Sequence, residues 1–271
     1  MISRSERSLN YLILSLFAVF ALYPLLSVLT AALAPSGGTP GLLPTEITFA
    51  NFGEAWELGR FGRYLRTSVV VSGGVVVLAT LMSVMSGYAF GTMRFRGSGA
   101  LFYLLLLGIM VPTEAIVVPL FFDLRELGLT NTYWALILPQ TAQSVAFGTF
   151  WMRAYFKTSS RALVEAARMD GAGHWRTLWS VLLPVGRPAM VTMIVLVFMW
   201  TWNEFLIPLV MVTDEALRTA PLGLAFFQGQ YTADVRLLAA GAAIVAVPVV
   251  IVYLFLQRHF IRGMLEGSTR G

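Results

Sequence analysis

The sequence is poor in the residue types on which much of protein chemistry depends. It has no cysteine, a single lysine and two histidines among 271 residues. The absence of cysteine excludes a disulfide framework and thiolate chemistry. Charged residues make up only 12% of the chain, against about 25% in a soluble domain, while 57% of the residues are hydrophobic. This composition indicates a polytopic membrane protein.

The few titratable residues form no catalytic pattern. No serine–histidine–acid or paired-carboxylate arrangement is present, and nothing near His174 or His259 suggests a metal site. A phosphate-binding P-loop needs a glycine directly before its lysine, but Phe156 precedes Lys157. We therefore expect no catalytic residue, no metal, no cofactor and no nucleic-acid partner for this chain. Any work driven by ATP would need a separate subunit.

Six apolar runs are long enough to cross a membrane, which takes about 20 residues. A backbone in lipid must satisfy its own hydrogen bonds, so all six are expected to be helices. The first run has 25 residues, longer than the about 7–15 of a signal-peptide core, and is read as an uncleaved span. We predict an all-α membrane domain over residues 1–271. The six spans are 9–33, 67–91, 99–121, 133–155, 182–212 and 237–257.

The basic residues orient these spans. If the N-terminus is cytoplasmic, 13 of the 19 basic residues fall on the cytoplasmic side and 6 on the other. The positive-inside rule then places both termini, and the loop over residues 158–184 between spans four and five, in the cytoplasm. Arg60, Arg63 and Arg66 oppose this arrangement, because they crowd the outer end of span two.

The loop over residues 158–184 is polar, yet its composition favours helices. Ser159 or Ser160 can cap a helix that runs from Arg161 to Asp170. Gly171 is expected to end it, because glycine takes the left-handed conformation at the least cost. A second helix is predicted from His174 to Leu183, ending at Pro184. A surface helix, a glycine break and a second helix form a shape that another protein could grip.

This stretch resembles the cytoplasmic "EAA" loop of ABC-importer permeases. That pattern is Glu-Ala-Ala, three residues, Gly, and about nine residues later an apolar residue, any residue, Leu and Pro. The resemblance implies that the loop is a coupling helix that docks into a cleft of an ATP-hydrolysing subunit. The residues implied in docking are Glu165, Ala166, Ala167, Asp170, Gly171 and Ala172.

Further motifs resemble the sugar-importing branch of the same family, of the maltose type and its smaller permease subunit. They are Pro112-Thr-Glu-Ala, Gly128 to Trp134, Trp202-Asn-Glu-Phe205 and Gln257 to Gly263. The resemblance implies a bacterial or archaeal cytoplasmic (inner) membrane location, in contact with lipid. It also implies a second permease as hetero-dimer partner, two ATP-binding subunits that hold ATP and Mg, and an extracytoplasmic solute-binding protein.

Two carboxylates lie within the predicted spans. A charge in hydrocarbon costs at least a few kcal/mol, so each needs a partner, water or neutralisation. Glu204, in Trp202-Asn203-Glu204, is expected deep in span five, where it either bridges helices or lines the substrate path with Asn203. Glu114 follows Pro112 and is expected at a kinked, wetter part of span three. Trp202, Asn203 and Glu204 are the candidate path residues.

The sequence thus favours a permease subunit of an ATP-driven, binding-protein-dependent importer for a sugar or oligosaccharide. An alternative within the class is a permease for another solute, such as a polyol or glycerol phosphate. An alternative from a different class is a self-contained channel or secondary transporter, which would have no use for a gripped cytoplasmic helix.

Overall fold

The computed structural model describes residues 4–35, 46–158, 161–225 and 234–268. Within these ranges the chain is helical and contains no strand, which confirms the all-α prediction. A π-helical segment, Thr177–Leu182, joins two of the short helices. The predicted helix cap at Ser159 or Ser160 lies outside the described residues. The α-helices are α1 (Arg4–Ala32), α2 (Ala50–Leu58), α3 (Phe61–Thr92), α4 (Ser98–Met110), α5 (Thr113–Glu126), α6 (Tyr133–Thr158), α7 (Arg161–Met169), α8 (His174–Arg176), α9 (Leu183–Val185), α10 (Arg187–Trp202), α11 (Leu206–Met211), α12 (Ala220–Leu224) and α13 (Val235–Ser268).

Three helices are long and apolar enough to cross a membrane on their own: Glu6–Ala32 within α1, Phe61–Thr92, and Val235–Gln257 within α13. Two further helix pairs qualify when each pair is counted as one bent span, which gives up to five candidates among the described residues. The remaining run, predicted over residues 133–155, forms α6. That helix is 26 residues long but too polar to qualify by composition.

The continuous helix expected over residues 99–121 is instead broken. α4 ends at Met110, α5 begins at Thr113, and the two axes meet at 100°. Pro112 has no N–H to continue the hydrogen-bond ladder, and it drives the residue before it out of the helical region. Val111 accordingly has ψ 117° and Pro112 has ψ 138°. The kink expected near Pro112 is therefore a complete break.

The run expected over residues 182–212 is also divided. The second helix of the loop, which was predicted to end at Pro184, continues to Val185. The helix is interrupted at Gly186, and the axes of His174–Val185 and α10 meet at 81°. A Cβ at Gly186 would lie 2.6 Å from a ring carbon of Tyr155, so glycine allows this close approach. α10 ends at Trp202, and a separate short helix, α11, follows.

Residues Met1–Arg63 and Ala220–Val247 form one compact unit. Its core is rich in alanine, which lets α1, α2 and α13 approach closely. Asn51 is buried, and its side-chain amide donates to the carbonyls of Ala32 and Ala34, each at 2.8 Å. Arg236 Nη1 donates to Asn51 Oδ1 at 3.4 Å and pairs with Asp234 at 2.8 Å. Toward its N-terminus, by contrast, α1 has only exposed side chains from residue 6 to residue 26.

Residues Tyr64–Thr219 and Pro248–Gly271 form the second unit. Its core contains buried apolar residues of α3, α5, α6, α10 and α11 and of the π-helical segment. Glycines bring α3 and α6 together, because a Cβ at Gly87 would lie 2.6 Å from Met152 Cβ. A Cβ at Gly148 would collide with Ser83. Small residues at helix contacts are characteristic of packing within membranes. Both functional regions described below lie in this unit.

Candidate functional site

The predicted loop helix is present as α7, Arg161–Met169, and it is strongly amphipathic. Leu163 and Val164 are half-buried and pack against the core of the second unit. Glu165 and Ala166 are exposed, and Met169 exposes 88% of its surface. A single exposed apolar residue is common on protein surfaces, so it is the exposure of this whole side of α7, rather than Met169 alone, that leaves it open to contact with another protein.

The break after α7 is confirmed at Gly171, which has φ +76°. The turn satisfies the last carbonyls of the helix, as left-handed C-caps do. Gly171 N–H donates to Arg168 O at 3.0 Å, and Ala172 N–H donates to Ala167 O at 2.9 Å. Apart from its chain neighbours, no atom of the described residues lies within 4 Å of a Cβ built at Gly171, so backbone conformation rather than space requires glycine there.

The structure places the six implied docking residues on two faces. Glu165, Ala166, Asp170 and Gly171 are exposed, and Ala172 is half-buried. Ala167 is 6% exposed and belongs to the side of α7 that packs against its own chain. Five of the six therefore remain open to a partner, while Ala167 contributes to holding α7 in place.

α7 lies beside an open cleft of about 1140 Å³, lined by Gly91, Thr92, Met93, Arg94, Phe95, Phe156, Lys157, Val164, Glu165, Arg168 and His174. Three of these side chains are basic and one is acidic. Glu165 and Arg168 line the same cleft, but the structure has no ion pair between them. The cleft is therefore positively charged and bordered by the exposed face of α7.

The segment after the glycine break is tied to α3. His174 is exposed, and its Nδ1 lies 3.2 Å from the hydroxyl of the buried Tyr88. Thr177 Oγ1 donates to Gly173 O at 3.1 Å and stabilises the start of the second helix. Further along, Trp151 Nε1 donates to Ala189 O at 2.9 Å. α7 and its turn are thus mounted on a segment that contacts both α3 and α6.

A second cavity, of about 320 Å³, lies at the break between α4 and α5 and is bounded by α6 and α10. It is lined by Gly108, Ile109, Val111, Pro112, Thr113, Gln140, Gln143, Ser144, Phe147, Trp200, Thr201 and Glu204. Half of these residues carry a polar side chain, in a chain that is mostly apolar. Within the cavity wall, Gln143 Nε2 donates to Thr113 Oγ1 at 3.0 Å.

Of the three candidate path residues, only Glu204 lines this cavity. Glu204 was expected deep in span five, within a continuous helix. It lies instead in the gap between α10 and α11. Its Oε1 accepts a hydrogen bond from Ile207 N–H at 3.0 Å, so the carboxylate caps the start of α11. Asn203 is exposed and donates to Met199 O at 2.7 Å. Trp202 is buried against Phe198, with ring centroids 5.5 Å apart.

Glu114, the other carboxylate of the predicted spans, is exposed in the first turn of α5. It does not line the 320 Å³ cavity. Its place in the first turn of α5 is favourable for a carboxylate, because the N-terminal end of a helix stabilises negative charge.

Gln140 and Gln143 were not among the candidate residues predicted from the sequence, and Thr113 was named only within the motif Pro112-Thr-Glu-Ala. A signal for the two glutamines was present, since Gln140, Gln143 and Ser144 follow the i, i+3, i+4 spacing of one helix face. The contribution of Thr113 depends on the 100° bend, which brings the start of α5 beside α6.

A polar clamp holds the far end of α11. Asn131, in the loop between α5 and α6, has φ +55°, a conformation that asparagine tolerates better than most residues. Its Oδ1 accepts from Thr213 N–H at 2.7 Å and from Asp214 N–H at 3.0 Å. Its own N–H donates to Met211 O at 3.2 Å. Among the described residues, no group of three or more His, Asp or Glu side chains could hold a metal ion.

Long apolar helices, two broken spans around a polar cavity, and an exposed amphipathic helix after the fourth predicted span define a helical membrane transport subunit. The chain belongs to the family of binding-protein-dependent transport system inner membrane components, whose model matches residues 79–266. It is accordingly a multi-pass membrane protein and an ABC-importer permease.

Relatives and a solved structure agree with this assignment. The chain is 35% identical over 261 residues to an arabinooligosaccharides transport system permease of Halalkalibacterium halodurans, which covers 94% of this chain and 93% of that protein. It is 32% identical over 272 residues to a diacetylchitobiose uptake system permease of Streptomyces coelicolor, covering 98% and 90%. The structure superposes, with a TM-score of 0.82 and 26% identity, on a chain of a bacterial ABC transporter involved in the import of the acidic polysaccharide alginate, covering 96% and 99%.

Proposed function

We propose that this chain forms half of the translocation path of an ATP-driven importer for a sugar or oligosaccharide. The relatives described above are named for oligosaccharide uptake, and the similar structure belongs to a polysaccharide importer. The observation that carries the proposal is the exposed helix α7 with its left-handed glycine turn, on a chain that has no P-loop of its own.

In this proposal α7 docks into a cleft of an ATPase subunit, and the turn at Gly171 lets the partner approach closely. The contact surface is Glu165, Ala166, Asp170, Gly171 and Ala172, with Ala167 fixing the helix from behind. ATP and Mg are bound by the partner. Closure of two ATPase subunits would move α7 and the segment attached to α3 together, as alternating access by rigid-body motion requires. The bonds of His174 to Tyr88 and of Trp151 to Ala189 O support such a coupling.

The chain is proposed to cross the cytoplasmic (inner) membrane six times, with both termini in the cytoplasm. α6 supplies the sixth crossing, as the apolar run over residues 133–155 predicted, although it is more polar than the other candidate spans. Its glutamines face a cavity rather than lipid, and polar residues inside membranes usually face a bundle interior or a water-filled cavity. The distribution of basic residues, 13 against 6, supports this orientation.

The proposed partners are a second permease, two ATP-binding subunits and an external solute-binding protein. The apolar side chains of α1 support a contact with lipid or with the second permease, because the part of the chain that the structure describes leaves them largely exposed. The family's own description supports the binding protein.

The test is purification of the tagged chain from its native membrane in a mild detergent, followed by identification of the co-purifying proteins by mass spectrometry. Recovery of an ATPase, a second permease and a solute-binding protein is expected. The complex, reconstituted in liposomes, should take up a sugar only when ATP and the binding protein are both supplied. A chain that purifies alone and transports without ATP would be a self-contained channel or carrier instead.

A further inference from the structure

The 320 Å³ cavity has a wall that is incompletely hydrogen-bonded. Gln140 lines it and is only 4% exposed. Its Nε2 donates to Leu136 O at 2.8 Å, but its Oε1 has no hydrogen-bond partner among the described residues. A buried acceptor left unpaired is costly, so such a group normally has a partner from water or a ligand. This carbonyl oxygen therefore points to a donor that the chain itself does not provide.

The polar groups around Gln140 suit a ligand with several hydroxyl groups. Gln143 keeps its carbonyl acceptor free when its amide donates to Thr113, and Ser144 and Thr201 add hydroxyls to the same wall. Glu204 adds a carboxylate, of which one oxygen already accepts a hydrogen bond from Ile207 N–H at the start of α11. Acceptors thus predominate, and sugar hydroxyls can donate to them.

The cavity wall includes two aromatic side chains. Phe147 and Trp200 both line it, with ring centroids 4.7 Å apart and planes at 73°. Trp200 exposes 52% of its surface, so much of its ring remains open to another molecule. An aromatic ring beside several hydrogen-bonding groups suits a sugar ring, which has C–H faces and a polar edge.

The volume limits the size of the occupant. Ligand cavities commonly measure about 300–1,000 Å³. At about 320 Å³ this cavity lies at the lower end of that range. A single sugar unit fits such a space better than a long oligosaccharide, of which the remaining units would lie outside the cavity.

We propose that this cavity is a subsite, provided by this chain, for one glycosyl unit of the transported sugar. Gln143 and Glu204 contact sugar hydroxyls, a rotation of the Gln140 amide brings its unpaired Oε1 to a further hydroxyl, and Trp200 packs against the ring. The 100° break between α4 and α5 opens the space that the unit occupies. This inference rests on the proposed function, because it assigns the site to the solute that the importer carries.

The absence of cysteine from the chain permits a direct test. Val111→Cys places a single thiol on the cavity wall at a position that takes no part in the proposed hydrogen bonds. Leu127→Cys is the control, because Leu127 is 71% exposed and lies outside the cavity. Each variant is assembled into the full complex in nanodiscs and labelled with a small maleimide. Trehalose, diacetylchitobiose and arabinotriose serve as probes, with sorbitol as an open-chain control.

A probe that the unmodified complex imports should slow the labelling of Cys at position 111 and leave that at position 127 unchanged. Sorbitol should protect neither. Gln140→Leu, combined with Val111→Cys, should raise the sugar concentration needed for protection by about 3- to 10-fold, as expected for one lost hydrogen bond. Thr141→Val is the matched control, because Thr141 is buried and unpaired beside Gln140 but does not line the cavity. If Gln140→Leu does not assemble, Gln143→Leu replaces it.

The outcomes separate the two proposals. If no probe is imported and no ATPase co-purifies, the proposed function fails. If a probe is imported but protects position 111 no better than position 127, the cavity holds only water and the subsite is wrong. Equal effects of Gln140→Leu and Thr141→Val would also overturn the subsite, because they would show that the Gln140 amide does not contact the sugar.

Discussion

Two regions of this chain carry polar side chains in an otherwise apolar molecule, and they present them in opposite directions. On α7 the polar residues are exposed, and the helix and its turn complete their own backbone hydrogen bonds. In the 320 Å³ cavity the polar residues face inward, and a buried amide oxygen is left without a partner among the described residues. The first arrangement suits a protein surface that docks from outside, and the second suits a small hydroxyl-bearing ligand.

The difference shows how the two regions would fail. α7 depends on backbone shape, since its turn requires a left-handed residue, and a single substitution can distort the whole surface. The cavity depends on separate hydrogen bonds, so each substitution should remove a limited share of the affinity. Coupling should therefore be lost abruptly and sugar recognition gradually. The predictions below test this contrast, beginning with the largest expected effect.

The largest effect is expected at the turn. Gly171→Val should reduce ATP-driven uptake at least about 10-fold, because a β-branched residue at φ +76° is strained by about 1–2 kcal/mol or more and moves the docking surface. Membrane insertion should be unchanged. Gly171→Asn should retain most activity, since asparagine tolerates this conformation. Uptake in proteoliposomes and co-purification of the ATPase are the measurements.

Gly173→Ala is the control, because Gly173 has φ −70° and no atom within 4 Å of its Cβ position. It should behave as the unmodified chain. If Gly171→Val also transported normally, the docking role of this turn would be wrong.

A smaller effect is expected at Asn131. Asn131→Ala should lower the free energy of unfolding by about 0.5–1.5 kcal/mol, because it removes the acceptor of the Thr213 and Asp214 N–H groups and adds strain at φ +55°, while water can reach these exposed groups. Asn131→Gly avoids the strain but does not restore the lost hydrogen bonds. Its free energy of unfolding should therefore lie between those of Asn131→Ala and the unmodified chain. Thermal unfolding of the detergent-solubilised complex measures both. Equal stability of all three proteins would show that the clamp contributes nothing.

Two substitutions at Glu204 can distinguish its hydrogen bond at the start of α11 from its role in the proposed path. Glu204→Ala should cost about 0.5–2 kcal/mol of stability through the lost cap on α11. Glu204→Gln keeps an acceptor for Ile207 N–H and should be nearly neutral in stability. A loss of uptake by Glu204→Gln at unchanged stability would then report a role of the carboxylate in the path, through its charge or through its second acceptor oxygen. Thermal unfolding and initial uptake rates, measured on the same preparations, distinguish the two.

The smallest effect is expected at Asp234, at the start of α13. Burial raises the pKa of this carboxyl, but the hydrogen bonds from Leu237 and Arg236 and the charge of Arg236 outweigh burial and hold the pKa below its ordinary value of 3.8. Its contribution to stability is therefore present above pH 3.8 and lost as the pH falls through the lowered pKa. Because 37% of the side chain is exposed, solvent screens the interaction.

Asp234→Asn should slightly lower the unfolding temperature at pH 7 and lower it less at pH 3, below the ordinary pKa of 3.8, where part of the contribution of the carboxylate is already lost. A loss of equal size at both values would show that the ionised form has no special role.

Much of the helical content could be predicted from the sequence, because it depends on local properties. Long apolar runs specify spans by length, and Gly171 specifies the end of α7 through backbone conformation. The buried face of α7 was harder to predict. Ala166 and Ala167 are identical residues with opposite exposure, and only the packing of α7 within its own unit distinguishes them.

The sequence by itself determined that the chain is an apolar helical protein with a polar, helix-forming loop around Glu165 and Gly171, because composition and turn chemistry are local. The tertiary structure decided where the spans break and what the breaks enclose. Pro112 indicated a kink in the sequence. The 100° bend that brings Thr113 beside Gln143, however, depends on how α5 packs. Glu204 likewise became a helix cap in a cavity wall only because α10 ends at Trp202, which no local pattern had indicated.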